Sequence, residues 1–283
     1  VKDHQIVLAE ITDYSHPIYK HVKLQEILGY ASDDGIEVKE VTHKYGLINQ
    51  FSPQTMDEAK AIPQSITAEE MIGRKDLRNE TIFTIDSEST KDIDDAIYIE
   101  KTDKGNYLLG VHIADVSHYV QENSELDKEA FKRGTSVYLA DSVIPMLPRE
   151  LSNGICSLNP NVDRLAMTCQ MEITPKGEVV YYDLFPSIIH SDYKMTYTNI
   201  NKILDNDQDL IKTYKDIHNH ILHMRELQII LSNVREEMGS INFETIEPKF
   251  IFNKHGKITD MIVKNRGIGE QMIEEFMLVA NQV

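Results

Sequence analysis

The sequence lacks the features that mark secreted, disulfide-bonded or membrane-spanning proteins. It contains only two cysteines, Cys156 and Cys169, and their spacing fits neither a Cys-x-x-Cys pair nor a zinc site. We therefore expect buried, reduced thiols in a cytoplasmic protein. No apolar run approaches the length of a membrane span, and the first residues contain no apolar stretch of a signal peptide, so no membrane partner is predicted.

Positive charge is also scarce. The chain has 29 Lys and Arg residues against 46 Asp and Glu residues, which gives a formal net charge of −17. Such a balance argues against a general polyanion-binding surface. If the partner is a nucleic acid, then a metal ion, a local basic channel or basic parts outside this sequence must offset the negative field.

Acidic residues are concentrated between Asp86 and Asp95, where the sequence DSESTKDIDD places five acids and one lysine in ten residues. The flanking segments 81–85 and 96–99 are rich in Ile, Thr, Phe and Tyr and are predicted strands. Carboxylates this close repel one another, so some must take up protons or share a cation. Because Mg²⁺ and Mn²⁺ prefer carboxylate oxygens, the stretch predicts a divalent metal site.

A metal site requires the four aspartates to converge. On a continuous strand Asp92 and Asp94 share one face and Asp95 points to the other, so the polar run 87–91 must form a turn. The four converging carboxylates could hold one or two metal ions that also contact a phosphate. In two-metal phosphoryl chemistry the ions lie ~4 Å apart. An EF-hand fits poorly, because counting from Asp86 places Lys91 at the glycine position. A solvated acidic loop remains the alternative.

The hydrophobic patterning predicts an α+β protein with a mixed or antiparallel sheet and flanking helices, preceded by the end of a small β-barrel. Strands are predicted at 5–12, 22–27 and 36–41. Short helices are predicted at 53–62 and 67–72, the second with a capping box. One long amphipathic helix is predicted from Asp209 to Met238. The resulting division is the end of a small β domain at 1–45, connecting helices at 46–80 and a β-rich body with flanking helices at 81–283.

Several motifs resemble those of the ribonuclease II and ribonuclease R exoribonucleases. They lie in the family's order and cover most of the chain after residue 75. They are TIDSESTKDIDDA at 84–96, GVHIADVSH at 110–118, GTSVY at 134–138, PMLP at 145–148, LSNGICSLN at 151–159 and MIEEFMLVAN at 272–281. The sequence of residues 134–159 is more similar to ribonuclease R than to ribonuclease II. The resemblance implies a truncated RNB-type catalytic domain at 81–283, after the end of an OB or cold-shock-type β-barrel.

The resemblance implies a processive 3′→5′ exoribonuclease that hydrolyses single-stranded RNA to nucleoside 5′-monophosphates with Mg²⁺, for which Mn²⁺ can substitute. Asp86 and Asp95 are expected to hold the main Mg²⁺. Asp92 and Asp94 are expected to complete a second metal position and to act in catalysis. Loss of Asp94 should reduce catalysis most. Whether one metal or two bind remains open.

Aromatic and acidic residues outside the loop are expected to contact RNA. Tyr138 and Tyr197 fall where the family places aromatic residues near the RNA end, and stacking suits an enzyme that accepts every base. One of Glu274 and Glu275 is expected to face the RNA, and sequence does not choose between them. The pattern His112-x-x-Asp115-x-x-His118 resembles a metal motif, but strand alternation favours structural hydrogen bonds.

Family members continue beyond the motifs found here, through a Thr-Ser-Pro-Ile-Arg-Arg-Tyr stretch whose arginine acts at the scissile phosphate and into a basic RNA-binding domain. This sequence contains neither. We therefore expect a piece of a longer, monomeric protein, poorly active or inactive alone. Two rival hypotheses are a catalytically idle RNA-binding module and a phosphodiesterase that acts on DNA or on many substrates. Sequence alone does not separate RNA from DNA.

Overall fold

The structure is a computed structural model and describes residues 1–47, 50–140, 142–241, 247–253, 258–264 and 266–283. It divides into two compact units. The first comprises Val1–Ser52, Glu129–Met146 and Ile246–Lys264, and the second comprises Pro53–Lys128, Leu147–Thr245 and Asn265–Val283. Within the described ranges, every helix is too short or too polar to cross a membrane.

Strands and helices are interspersed along the chain, which confirms the predicted α+β class. The strands of the described residues are β1 (Gln5–Asp13), β2 (His21–Tyr30), β3 (Lys75–Asp76), β4 (Ile82–Asp86), β5 (Asp95–Lys101), β6 (Tyr107–Ala114), β7 (Val137–Tyr138), β8 (Val143–Ile144), β9 (Asp163–Ile173), β10 (Val179–Thr196), β11 (Glu247–Phe252) and β12 (Ile258–Lys264). The helices are α1 (Ile36–Lys44), α2 (Pro53–Ala61), α3 (Val116–Tyr119), α4 (Glu125–Arg133), α5 (Tyr197–Leu204), α6 (Gln208–Thr213), α7 (Lys215–Glu237) and α8 (Ile268–Gln282), with a π-helical turn at Glu150–Ile155.

The first unit contains three antiparallel strand pairs, β1–β2, β7–β8 and β11–β12. Its predicted strand at 36–41 is wrong, because the segment forms helix α1. Gly35 has a left-handed φ of 78° and turns the chain away from the direction of β2. Of the helix residues only Ile36 is buried, so the alternating apolar pattern that suggested a strand is not used for packing.

The second unit is built on a six-stranded mixed sheet with the order β3-β10-β4-β5-β6-β9. Strand β10 is long enough to serve two partners. Its first part pairs antiparallel with β9 through Val179 to His190, and its second part pairs parallel with β4 through Ser191 to Thr196. The sheet therefore closes on itself through β10, and the C-terminal end of β10 lies beside the C-terminal end of β4.

The main core lies between one face of this sheet and the helices α5, α7 and α8. The apolar faces of these elements are buried together, as the helical spacing predicted. Fully buried residues of this core include Phe83, Ile85, Ile97, Ile99, Leu109, Met171, Met195, Ile217, Ile221, Leu227 and Phe276. This layer holds the ends of β4, β5 and β10 in fixed positions.

Two helix predictions in the second unit are corrected by the structure. The segment 67–72 forms turns and no helix, although the predicted capping box is present, with Thr67 N–H donating to Glu70 Oε2 at 2.6 Å. Gly73, with a φ of 80°, ends the turn. The predicted single helix from 209 to 238 is two helices, α6 and α7, separated at Tyr214, whose ring packs edge-on against Tyr193.

Candidate metal centre

The four predicted aspartates lie at one end of the β4–β5 pair. Asp86 is the last residue of β4 and Asp95 is the first residue of β5. These strands are antiparallel, with Phe83 opposite Ile97. Extending this register along the strands places Asp86 and Asp95 at the same end of the pair. The chain turns between them, where Thr90 N–H donates to the Ser87 carbonyl at 3.2 Å. The predicted turn in the acidic stretch is therefore present.

Neighbouring segments hold the acidic loop at several points. Lys194 on β10 donates from Nζ to the carbonyl of Thr90, and the Thr198 hydroxyl on α5 donates to the Glu88 carboxylate. The carbonyl of Asp94 accepts from the N–H of Ala114 at 2.9 Å. The loop is therefore fixed by hydrogen bonds to three elements of the sheet and helix layer.

The carboxylates in this loop disturb one another's ionisation. Burial raises the pKa of Asp95 to about 7, with further contributions from Asp86 and Asp94. Burial also raises the pKa of Asp86 to about 6, where Asp94 and Asp92 add to the rise and the ammonium of Lys194 opposes it. The pKa of Asp94 is raised by loss of hydration and by Asp92, although Asp94 is the most solvent-exposed of the four. The four side chains therefore share one electrostatic environment.

This environment suits a hard cation. Within the described residues, Oδ2 of Asp86 is buried and has no hydrogen-bond partner. Such an atom is costly unless a ligand satisfies it. Carboxylate oxygens are the donors that Mg²⁺ prefers. The same described ranges contain no group of three or more His, Cys, Asp or Glu side chains already close enough to hold a metal. Binding a metal here therefore requires side-chain adjustment.

Tyr197 lies beside these aspartates. It is the first residue of α5 and follows Thr196, which is the parallel partner of Asp86 in the β10–β4 register. The pKa of its phenol is raised by burial and then by the charges of Asp86 and Asp95. The structure therefore brings one of the two predicted aromatic residues to the edge of the acidic site.

Tyr138 belongs to the first unit, where it is exposed on the short strand β7. Its contact with the end of an RNA stays a prediction.

The structure separates the two glutamates between which the sequence could not choose. Glu275 is buried inside the helical layer, where Arg235 on α7 donates to its Oε1 at 2.7 Å. Its Oε1 also accepts from Ser232 at 2.7 Å. Glu274 is half-buried and pairs with Arg266. Glu275 is therefore placed to join helices, and only Glu274 presents its carboxylate to solvent.

The His112, Asp115 and His118 pattern is structural, as predicted, but strand alternation is not the reason: only His112 lies on a strand, while Asp115 precedes helix α3 and His118 lies within it. His112 is buried within the sheet, its Nδ1 lies 2.8 Å from the Thr168 hydroxyl, and burial lowers its pKa to about 3. Asp115 instead accepts from Arg74 at 2.6 Å. His118 lies 2.9 Å from Glu70. Asp115 and His118 thus meet at the Arg74 guanidinium, whose Nη2 lies 3.4 Å from His118 Nδ1, while His112 contacts Thr168 on β9.

Sequence reasoning missed two residues that hold the acidic loop, Lys194 and Ser157. Ser157 lies inside the matched motif at 151–159, so its position in that motif was a signal. Lys194 stands three residues before Tyr197, a position that the family resemblance marked. Their hydrogen bonds to the loop depend on tertiary contacts that no local pattern shows.

Comparison with known proteins agrees with the motifs. The RNB domain profile matches residues 74–283, and the cold shock domain profile matches residues 1–52. The chain is 47% identical over 285 residues to ribonuclease R of Thermotoga maritima, which covers 99% of this chain and 40% of that protein. It is 46% identical over 280 residues to ribonuclease R 1 of Lactococcus lactis subsp. lactis, which covers 98% of this chain and 34% of that protein.

A solved structure described as Mycoplasma genitalium RNase R in complex with ribose methylated single-stranded RNA aligns with a TM-score of 0.87 at 30% identity. The alignment covers 98% of this chain and 43% of that one. The chain thus spans 34–40% of the length of the two curated relatives. Because the RNB domain match covers well over half of the sequence, this chain belongs to the RNB domain family.

Proposed function

We propose that this chain carries the metal centre of a 3′→5′ exoribonuclease, which hydrolyses single-stranded RNA processively to nucleoside 5′-monophosphates with Mg²⁺. The observation that carries the proposal is the group of carboxylates at the end of β4 and β5, where burial and then the charges of neighbouring aspartates raise the pKa of Asp86, Asp94 and Asp95. Two-metal and one-metal phosphodiester hydrolysis both need such oxygen donors near the phosphate.

The residues of the chain have distinct roles in this proposal. Asp86 and Asp95 are partly buried and would hold the main Mg²⁺, while Asp92 and the more open Asp94 would complete a second metal position. When bound, the cation polarises the attacking water and neutralises charge on the phosphate. Lys194 keeps the loop in place by binding the Thr90 carbonyl. Mn²⁺, which accepts the same donors, is expected to replace Mg²⁺.

The choice of RNA as substrate rests on the relatives and on Tyr197. The relatives are named ribonuclease R, and the solved structure described above contains single-stranded RNA. Tyr197 borders the acidic site, where an aromatic ring could stack on a terminal base of any identity. We further propose that the protein works in the cytoplasm as a monomer.

The proposal is tested with the full-length protein that contains this chain. We expect it to degrade 5′-labelled poly(A) in Mg²⁺ to short products, with nucleoside 5′-monophosphates released from the start of the reaction. Asp94→Asn should abolish hydrolysis and leave RNA binding nearly intact. Unchanged turnover in Asp94→Asn would contradict the assignment of the centre.

The same assay separates the rival functions. A DNA of matched sequence should remain intact, since a broad phosphodiesterase would cleave both polymers. An idle RNA-binding module would bind poly(A) and release no nucleotide in either Mg²⁺ or Mn²⁺. Addition of a chelator should stop hydrolysis, and restoring Mg²⁺ should restart it.

A further inference from the structure

Ser157 holds the backbone on both sides of Asp92. Its hydroxyl donates to the carbonyl of Lys91 at 2.9 Å and accepts from the N–H of Ile93 at 3.1 Å. These two peptide groups flank the Cα atom of Asp92, and a peptide unit is planar, so one oxygen restrains both torsions that aim the Asp92 side chain. Ser157 is fully buried. Water therefore does not compete for either hydrogen bond.

Ser157 is itself held by its surroundings. Arg164 is buried, and its Nε donates to the Ser157 carbonyl at 2.9 Å while its Nη2 donates to the Gly154 carbonyl at 3.3 Å. The next residue, Leu158, donates its N–H to the Ile93 carbonyl at 2.9 Å. The segment 154–158 is thus tied to the acidic loop by both main-chain and side-chain bonds. The Arg164 guanidinium therefore fixes this segment from inside the fold.

We propose that Ser157 is a positioning residue of the metal centre, which aims Asp92 so that its carboxylate joins the other aspartates around a divalent cation. The inference rests on the proposed function, because it requires that these aspartates bind a metal. Partners that orient metal ligands from outside are expected to matter strongly, and their loss lowers metal affinity or activity about 10–100-fold.

The test measures Mn²⁺ binding to the full-length protein that contains this chain by titration calorimetry near neutral pH, with thermal unfolding in EDTA as the measure of fold. Ser187→Ala is the matched control. Ser187 is also fully buried, and its hydroxyl bonds to the Thr168 hydroxyl at 2.6 Å and the Ala166 carbonyl at 3.2 Å, away from the loop. We expect Ser157→Ala to raise the Kd for Mn²⁺ at least about 10-fold. Ser187→Ala should lower the Tm by a comparable amount and leave the Kd for Mn²⁺ unchanged.

A second variant covers the case in which Ser157→Ala does not fold. Ser157→Cys fills the same space with a thiol, a weak donor and acceptor, and should show the same loss of Mn²⁺ affinity. In the full-length protein, either variant should lower kcat on poly(A) with an unchanged KM, and raised Mn²⁺ should restore turnover.

The outcomes separate the two proposals. Equal Mn²⁺ affinity in the wild type and in the folded Ser157 variants overturns the positioning role and leaves the proposed function in place. Equal losses in the Ser157 and Ser187 variants also overturn it, since the effect would then be general destabilisation. A wild-type chain that binds no Mn²⁺ overturns the metal centre and, with it, the role of Ser157.

Discussion

Arg235 on α7 and Glu275 on α8 form an ion pair, with 2.7 Å between Nη2 and Oε1, and they tie the two helices that cover the main sheet. The Glu275 side chain is 4% exposed and that of Arg235 is 22% exposed. Removing one partner of a buried pair leaves the other charge without compensation. The resulting loss of folding stability is typically larger than the stability that the intact pair provides compared with two apolar residues of similar size.

We therefore expect Glu275→Ala to lower the free energy of unfolding by about 3–5 kcal/mol. Glu274→Ala is the neighbouring control, because Glu274 and its partner Arg266 are more than 40% exposed. Loss of that pair should change stability by about 1 kcal/mol or less. Urea unfolding followed by circular dichroism measures both. A loss of RNA binding in a folded Glu275 variant, without a fall in stability, would contradict a purely structural role.

A second prediction concerns the stability of the acidic site without metal. The pKa of Asp86 rises from 3.8 to about 6 in the fold, chiefly because of burial. A carboxyl group whose pKa is higher in the folded state than in the unfolded state favours folding at pH values below its unfolded pKa. As the pH rises through the folded pKa, this contribution is lost and the ionised group destabilises the fold. We therefore expect Asp86→Asn to stabilise the chain at about pH 8 in EDTA, by about 1–3 kcal/mol after allowance for solvent screening.

Thermal unfolding with and without Mg²⁺ checks this prediction. Mg²⁺ should raise the Tm of the wild type, because a ligand of the native state stabilises it, and should raise that of Asp86→Asn less. Asp103→Asn, in the exposed hairpin turn after β5, should leave Tm unchanged with and without Mg²⁺. A fall in Tm for Asp86→Asn in EDTA would mean that the carboxylate has a stabilising partner.

A third prediction uses the pH dependence of a network outside the site. Asp163 lies 2.8 Å from His190 Nδ1 and accepts from Arg78 Nη1 at 3.0 Å. Burial alone would raise the pKa of Asp163, but these hydrogen bonds lower it below 3.8. A carboxyl with a depressed folded pKa stabilises the fold above its unfolded pKa, and this contribution is lost as pH falls through the folded value.

Asp163→Asn should therefore cost about 0.5–1.5 kcal/mol at neutral pH. The difference from wild type should shrink below pH 3.8 and vanish once Asp163 is protonated in both states. Unfolding curves measured at several pH values test this. A difference that stays constant down to the acid limit would show that packing, and not charge, is responsible.

Local patterns were sufficient for the parts of the fold that depend on neighbours in sequence. The turn at 87–91 follows from a polar run between two apolar strands, and it brings Asp86 back beside Asp94 and Asp95 as expected. Strand β10 runs without a break from Val179 to Thr196, although proline is unusual inside a strand and Pro186 lies within it. In the structure Pro186 is tolerated opposite Met167 on β9.

The features that sequence could not supply depend on distant contacts. Glu274 and Glu275 are adjacent, and only the packing of α8 on α7 decides which of them is buried. Ser157 contacts main-chain atoms more than 60 residues earlier in the chain. The motif at 151–159 marks that segment, but the pairing itself appears only in the fold.

The last prediction concerns the proposed contact of Tyr197 with RNA. Its ring lies at the edge of the acidic site, and its phenol is influenced by Asp86 and Asp95. Stacking of a base on an aromatic ring contributes about 1–3 kcal/mol and does not need the hydroxyl. We expect Tyr197→Phe to retain the affinity for a fluorescein-labelled single-stranded RNA in EDTA, measured by anisotropy. Tyr197→Ala should weaken it by about 5–150-fold, the same energy expressed as a ratio. Tyr193→Phe is the control, since Tyr193 packs against Tyr214 within the helical layer. Equal weakening in the Phe and Ala variants of Tyr197 would assign the effect to the hydroxyl and would contradict stacking.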